Sequence, residues 1–162
     1  MLQIKGRKKL KDTFIRLSTG RFRGKWLRIH GHSMEPTILA DQYVLLDLNY
    51  FDTHPIERML IVGFCHFKTG SKILIKRILG LPGEYVSINK TEIRIEAATT
   101  NITLSSNRST LHHEIKFHIE KDSYFLLGDN LPYSTDSRQL GTIKRSSILG
   151  PLWFRLWPPK LF

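Results

Sequence analysis

Short apolar runs separated by turn residues, rather than long stretches with a helical period, set the pattern of the chain past residue 40. Tyr43-Val44-Leu45-Leu46-Asp47, Leu60-Ile61-Val62-Gly63-Phe64 and Ile73-Leu74-Ile75-Lys76-Arg77-Ile78-Leu79 have the length and aliphatic content of buried strands. The last two are expected to pair as a hairpin across Lys68-Thr69-Gly70-Ser71, and the third ends in Gly80-Leu81-Pro82-Gly83, a turn signal. Alternation over Glu84 to Asn89 and over Thr91 to Ile95 predicts a second hairpin around Asn89-Lys90. It resumes over Glu114 to Glu120, with Ile115, Phe117 and Ile119 on one side. Trp26-Leu27-Arg28-Ile29-His30 and Tyr124-Phe125-Leu126-Leu127 complete the strand set, while residues 97–110, rich in Thr, Ser and Asn, read as a polar excursion. The fold class is therefore mainly β. Residues 1–25 read as a basic arm with a short N-terminal helix, broken around Gly20 and Gly24, and residues 26–162 as one domain.

Lys76 is the anomaly in this pattern. Side chains alternate along a strand, so Lys76 shares a face with Leu74 and Ile78. An ammonium held among aliphatic neighbours loses hydration, which favours the neutral amine; a fall of roughly two to three pH units from about 10.4 makes it a base near neutral pH. The plain alternative is a lysine whose head reaches out of an edge strand into water.

Ser33, in Gly31-His32-Ser33-Met34-Glu35-Pro36, stands at a strand-to-turn step where a hydroxyl can meet substrate, although the same residue also suits a helix N-cap. A loop from Gly128 to Gly141 carries Asp129, Ser134, Asp136, Ser137 and Arg138, more acids and hydroxyls than a β connection needs. A serine hydroxyl becomes a strong nucleophile when a neighbouring base takes its proton, and a desolvated lysine can be that base.

Charge adds a second theme. Lys and Arg exceed Asp and Glu by 25 − 14 = 11, and between Lys5 and Arg28 ten basic residues face one acid, Asp12. Such an arm attracts anionic lipid or nucleic acid. Leu10, Phe14 and Leu17 fall on one helical face of it, and Leu152-Trp153-Phe154-Arg155-Leu156-Trp157 is rich in interfacial residue types, so peripheral contact with an anionic membrane is one expected partner. No run approaches the ~18 apolar residues that cross a bilayer, which gives a cytoplasmic or peripheral-membrane expectation. A lone cysteine, Cys65, excludes an internal disulfide.

Three ordered boxes carry a resemblance: Gly31-His32-Ser33-Met34-Glu35-Pro36-Thr37-Ile38, Ile75-Lys76-Arg77-Ile78-Leu79-Gly80-Leu81-Pro82-Gly83-Glu84, and Gly128-Asp129-Asn130 through Ser134-Thr135-Asp136-Ser137-Arg138 to Gly141. They resemble those of type I signal peptidases and involve roughly 35 residues over two thirds of the chain. The resemblance implies a serine endopeptidase with a Ser/Lys dyad and a complex β fold of signal-peptidase or LexA type. In it Ser33 is nucleophile and Lys76 general base, and Ser134 orients the lysine; Asp136 with Arg138 is read as an ion pair holding the loop. The oxyanion hole falls to backbone at Ser33 and Gly31, since Gly31 occupies the position where some relatives carry a hydroxyl donor. Small residues are implied before the cut; Ile29, Met34 and Ile78 are candidate substrate-binding walls that could equally be core. The protein substrate would carry an N-terminal leader, and no cofactor or metal is expected.

Two departures stand out. The family's usual Gly-Asp after the serine box is Ala40-Asp41 here, where a positive-φ turn forms less readily. About 45 residues between Gly83 and Gly128 leave little room for the accessory β domain of large bacterial members. As a short, anchorless sequence, the chain resembles the proteases that mature nickel-type superoxide dismutase by removing its leader. General signal-peptidase processing at a membrane face is the alternative biology.

Other readings explain less. LexA-type self-cleaving repressors need a DNA-binding helix-turn-helix, for which about thirty residues leave little room. A non-enzymatic basic β module would bind nucleic acid through Arg21-Phe22-Arg23-Gly24-Lys25-Trp26 but accounts for none of the boxes. A Ser-His-Asp site could draw on His30, His32 and Asp129, yet the Gly-x-Ser-x-Gly elbow is missing. His30, His32, Cys65, His66, His112 and His113 show no zinc-site spacing.

Overall fold

The computed structural model describes residues 22–70, 72–89, 92–96, 101–105, 115–156 and 158–162. The helix expected in the basic arm, with Leu10, Phe14 and Leu17, lies outside them. In chain order the elements are β1 (Gly24–Arg28), β2 (Tyr43–Asp47), β3 (Ile61–Cys65), β4 (Ile73–Gly80), β5 (Tyr85–Ile88), β6 (Glu92–Glu96), β7 (Asn101–Ser105), β8 (Ile115–His118) and β9 (Ser123–Leu127). The one-turn helix α1 (Ser137–Leu140) precedes β10 (Ile143–Lys144), β11 (Ile148–Arg155) and β12 (Lys160–Leu161). The mainly β architecture is the one the alternation predicts. One sheet has the order β1-β2-β11-β3-β4-β9-β10, with β12 on β11; a smaller one has the order β7-β6-β5-β8.

Strand β4 positions the site because it is paired on both edges over different lengths. It runs against β3 from Ile73 to Arg77, but β9 joins its other edge only from Arg77 onward. The phase of the ladder follows from Ile78, whose N–H donates to the Leu60 carbonyl at 2.9 Å and whose carbonyl accepts from Met59 N at 2.8 Å. Even-numbered residues of β4 thus hydrogen-bond toward β3, and Ile73 and Ile75 direct their N–H and C=O groups to the open edge.

Packing separates the two faces of this strand. Ile75 joins Ile29, Met34, Ile38, Val44 and Leu46 in one buried cluster, whereas Ile78 packs with Val62, Phe64 and Leu126 in another. A third cluster, with Leu79, Phe125 and Leu127, lies beneath Val86, Ile88, Ile93 and Ile95 of the small sheet. Such burial is worth ~1.5–3 kcal/mol per large aliphatic side chain and fixes where β4 stands.

Three features depart from the sequence expectations. Residues 97–110 are not featureless, because β7 pairs along β6 as an edge strand, and with β5 and β8 it gives the short segment after Gly83 a four-stranded sheet of its own. The β3–β4 connection spans residues 66–72, since Cys65 already faces Ile73. At the serine-box exit the positive φ falls on Asp41 (+65°), not Ala40, and aspartate tolerates that region better than most residues. Gly83, at φ +84°, makes the turn into the small sheet and donates its N–H to the Ile119 carbonyl at 2.8 Å. Arg58 clamps the same turn by pairing with Glu84, which also accepts from Leu81 N at 2.8 Å.

Candidate active site

The turn that follows β1 carries Ser33, and β4 carries Lys76; the fold brings their side-chain tips together across 43 positions of sequence. Lys76 Nζ donates to Ser33 Oγ at 2.6 Å and to the Ile75 carbonyl at 2.9 Å. Only 3% of Lys76 is exposed. Burial lowers its pKa from 10.5 to about 8, against the opposing influence of Asp136 and Asp129, with Arg138 adding to the fall. A neutral amine accepts where an ammonium donates, so at that contact the deprotonated lysine can take the serine proton.

The Ser33 turn is held from the far side by the loop after β9. Asn130 donates its backbone N–H to the Ser33 carbonyl and its side-chain amide to the His32 carbonyl, both at 3.0 Å. Gly128 fits there because a Cβ would stand 2.5 Å from the Ser33 carbonyl oxygen and 2.2 Å from Ser134 Oγ. The N–H groups of Ser33 and Gly31 meet no backbone acceptor among the described residues.

Ser134 is buried, and its Oγ has no hydrogen-bond partner among the described residues. It is not bonded to Lys76 here, although an ammonium has three donors and two are engaged. Asp136 is fully buried and accepts from Gly128 N at 3.1 Å, Arg138 N at 3.2 Å and Arg138 Nε at 2.8 Å. Arg138 also donates to the carbonyls of Leu131 (2.6 Å) and Ser134 (3.2 Å). Asp136 caps α1 in a reciprocal box with Gln139, and Ser137 Oγ accepts from Leu126 N at 2.9 Å, pinning the helix to β9.

Ile29 and Met34 are buried beside Ile75, next to the serine turn, whereas Ile78 is wholly enclosed in the other cluster. Ile78 and Met34 are both fully buried and have no surface to offer a substrate, whereas Ile29 and Ile75 each keep a little exposure. The Ser-His-Asp alternative finds no geometry: His32 Nδ1 meets Glu35 Oε1 at 2.8 Å, and Asp129 is held by Arg77 through Nε (2.8 Å) and a terminal nitrogen (2.6 Å). Of the nucleic-acid stretch, Phe22 packs edge-on against Trp153 at 5.1 Å.

The family model described as "Signal peptidase, peptidase S26" matches residues 14–157. The chain belongs to that family. It is a serine endopeptidase of the S26 type. Signal peptidase I of Streptococcus pneumoniae serotype 4 is 29% identical over 171 residues, covering 82% of this chain and 81% of that one. Signal peptidase I of Bacillus caldolyticus is 28% identical over 147 residues, covering 83% and 80% respectively. A crystal structure of a signal peptidase I from Enterococcus faecalis V583 aligns with 61% of this chain and 97% of its own, at 27% identity and a TM-score of 0.48.

Sequence reasoning missed three residues that hold the site of this S26 peptidase together: Asn130, Gly128 and Arg77. All three lie inside the boxes that drew attention, but their contacts reach across the fold. One signal was readable, since Asp136 followed three residues later by Gln139 has the spacing of a capping box.

Proposed function

We propose that this peptidase removes an N-terminal leader or signal peptide from a protein substrate by means of a Ser33/Lys76 dyad. The observation that carries the reading is the 2.6 Å contact between a buried lysine, its pKa lowered to about 8, and a serine on a substrate-accessible turn. About a tenth of such lysines are neutral at pH 7, enough for a base that takes the Ser33 proton as Oγ attacks the scissile carbonyl. The oxyanion develops toward the Ser33 N–H, with the Gly31 N–H as the second backbone candidate. Lys76, now protonated, passes its proton to the leaving amine and then draws one from the water that releases the acyl group. The unpartnered Ser134 hydroxyl supports its assignment as the third acceptor that keeps the amine aimed.

Substrate binding is read from the open edge of β4. An extended leader adds there as a strand, bonded to the outward N–H groups of Ile73 and Ile75 and the Ile73 carbonyl, while alternate side chains reach the surface formed by Ile29 and Ile75. Those walls pack tightly, which favours small side chains before the cut.

The basic arm over residues 1–25 and the 26–162 catalytic domain remain our division of the chain. Peripheral membrane contact is supported by an apolar row in which Trp26 faces Leu45, Leu45 faces Phe154, and Phe154 faces Leu161 across four strands. Trp26 and Tyr43 are about half exposed, and Arg28, paired with Tyr43 and two residues along β1 from Trp26, shares their face, a combination suited to an anionic surface. Among the described residues, no helix is long and apolar enough to cross a membrane.

The test is cleavage of leader-bearing precursors by the purified chain, followed by N-terminal sequencing. Ser33→Ala and Lys76→Met are each expected to lower the rate by about 10³-fold or more, while His32→Ala leaves appreciable turnover. Near-normal turnover by Lys76→Met would sink the dyad. The narrower reading, a nickel superoxide dismutase precursor as substrate, rests on the sequence resemblance; offering that precursor beside an exported protein's separates the two.

A further inference from the structure

The helical turn that follows Ser33 ends abruptly. Ile38 N donates to the Met34 carbonyl at 2.9 Å, and Met34 and Ile38 are buried, which seats the turn on the core. Continued as a helix, it would offer the Asp41 N–H to the Thr37 carbonyl. Asp41, at φ +65°, instead donates that N–H to the Ile29 carbonyl at 2.9 Å. A distant side chain serves the Thr37 carbonyl: Arg155, on β11, donates to it through a terminal guanidinium nitrogen at 3.0 Å. Arg155 Nε also donates, at 2.8 Å, to the Pro158 carbonyl beyond the end of the strand. Arg155 stands opposite Val44 of β2, and Val44 packs in one cluster with Met34 and Ile38, so the arginine shares the face on which the nucleophile turn is seated.

We infer that Arg155 is a positioning residue for Ser33, its guanidinium holding the far end of the nucleophile turn so that Ser33 Oγ stays within reach of Lys76 Nζ, a role that rests on the dyad reading above. Asn130 fastens the near end through the carbonyls of His32 and Ser33, and Arg155 fastens the turn again four residues after the nucleophile. A rigid guanidinium fork suits this task, since two of its nitrogens serve carbonyls of two different segments at once. Proton transfer depends on the 2.6 Å contact between Ser33 and Lys76. A displacement of about 1 Å in a reacting group can lower a rate ~10²-fold. The open edge of β4, where the leader adds, is separated from β11 by β3, and the charges that act on Lys76 are those of Asp136, Asp129 and Arg138. Loss of Arg155 is therefore felt in the chemical step rather than in leader binding or in the protonation of the base.

The experiment uses the full chain and an internally quenched peptide with Ala at the first and third positions before the cut. Arg155→Met keeps most of the stem and removes both donors. It is expected to lower kcat about 10- to 100-fold, with KM within about twofold of wild type and the pH–rate midpoint still near 8. Arg155→Lys, which can still donate to the Thr37 carbonyl, recovers several-fold of that loss. Urea denaturation checks that each variant is folded under assay conditions. Should Arg155→Met not fold, Arg155→Gln takes its place with the same expectation. Near-normal kcat in the folded neutral variant, a loss carried by KM, a shifted midpoint, or no gain from lysine overturns the positioning role and leaves the dyad standing. Unfolding of both neutral variants makes Arg155 a stability residue and also overturns it. If cleavage by the wild-type chain survives Lys76→Met, the dyad falls and the role of Arg155 falls with it.

Discussion

Replacing Lys76 by Met removes the ammonium while filling nearly the same space, and its effect on stability should change sign with pH. In the folded chain burial lowers the lysine pKa from 10.5 to about 8. That difference corresponds to about 3 kcal/mol by which the charged form disfavours folding. Below pH 8 the folded protein carries this penalty in full. Between pH 8 and 10.5 the folded lysine is neutral while the unfolded one still binds its proton, so wild-type stability rises with pH through that window and levels off above it. Methionine has no proton to exchange, so the difference between the two proteins isolates this one group. Against the gain, Ser33 Oγ and the Ile75 carbonyl each lose a partner, at about 1 kcal/mol apiece.

The variant should therefore be the more stable by about 1 kcal/mol at about pH 6, and the less stable by about 2 kcal/mol near pH 10.5. Urea denaturation of both proteins across this range, followed by tryptophan fluorescence, measures the difference directly. Other titrating groups cancel, because they are common to the two chains. A difference that stays flat from pH 8 to 10.5 would mean that the folded lysine titrates as it does in water, and the case for a neutral base would fail with it.

Arg138→Gln should move the pH–rate midpoint upward from about 8, because Arg138 helps to lower the Lys76 pKa and its loss also leaves Asp136 without its ion-pair partner. A midpoint that held or fell would contradict the electrostatic account of the loop. The double substitution Trp26→Ser with Tyr43→Ser should weaken binding to phosphatidylglycerol vesicles by about tenfold or more and leave cleavage of a short peptide intact. Equal vesicle binding by both proteins would remove the apolar row from that role.

Local pattern served the sequence reading well where a strand was buried and unbroken. Tyr43–Asp47 formed as read, and the strands around Lys76 and after Gly83 differ from their expected bounds by a residue or so. Strand β11 was hidden by Gly150-Pro151, which reads as a break. In the fold Gly150 lies where a Cβ would strike the Asp47 carbonyl, and register shifts on either side of Pro151 let the strand pair first with β3 and then with β2. Strand β7 was hidden by its Thr, Asn and Ser content, which an edge strand tolerates because one side faces water. The contacts of Asn130 with the serine turn could not be read at all, since nothing local marks a hydrogen bond between residues 98 positions apart. Ile78 was misread for a related reason: alternation places it on the face of Lys76 but says nothing of what covers that face.

The loop that supports the serine raises an electrostatic difficulty that the fold resolves by pairing. Gly128, Asn130 and Ser134 reach the site on a segment that also carries Asp129 and Asp136, and both acids tend to raise the Lys76 pKa. A bare carboxylate within ~6 Å of an ammonium is worth ~2–3 kcal/mol at an effective dielectric of ~20, enough to cancel most of what burial does to the base. Neither acid is bare. Arg77 holds Asp129 through two nitrogens and also donates to the Met59 carbonyl at 2.9 Å, while Arg138 holds Asp136, whose oxygens further accept the N–H groups of Gly128 and Arg138. Asp136 thus anchors the backbone of Gly128, and Arg138 offsets part of the field by which that carboxylate favours the protonated lysine, while the Arg77 pair ties Asp129 to β4. Burial remains the largest influence on Lys76, and the Asp136–Arg138 pair that fixes the loop's shape also tempers the carboxylate charge that works against it.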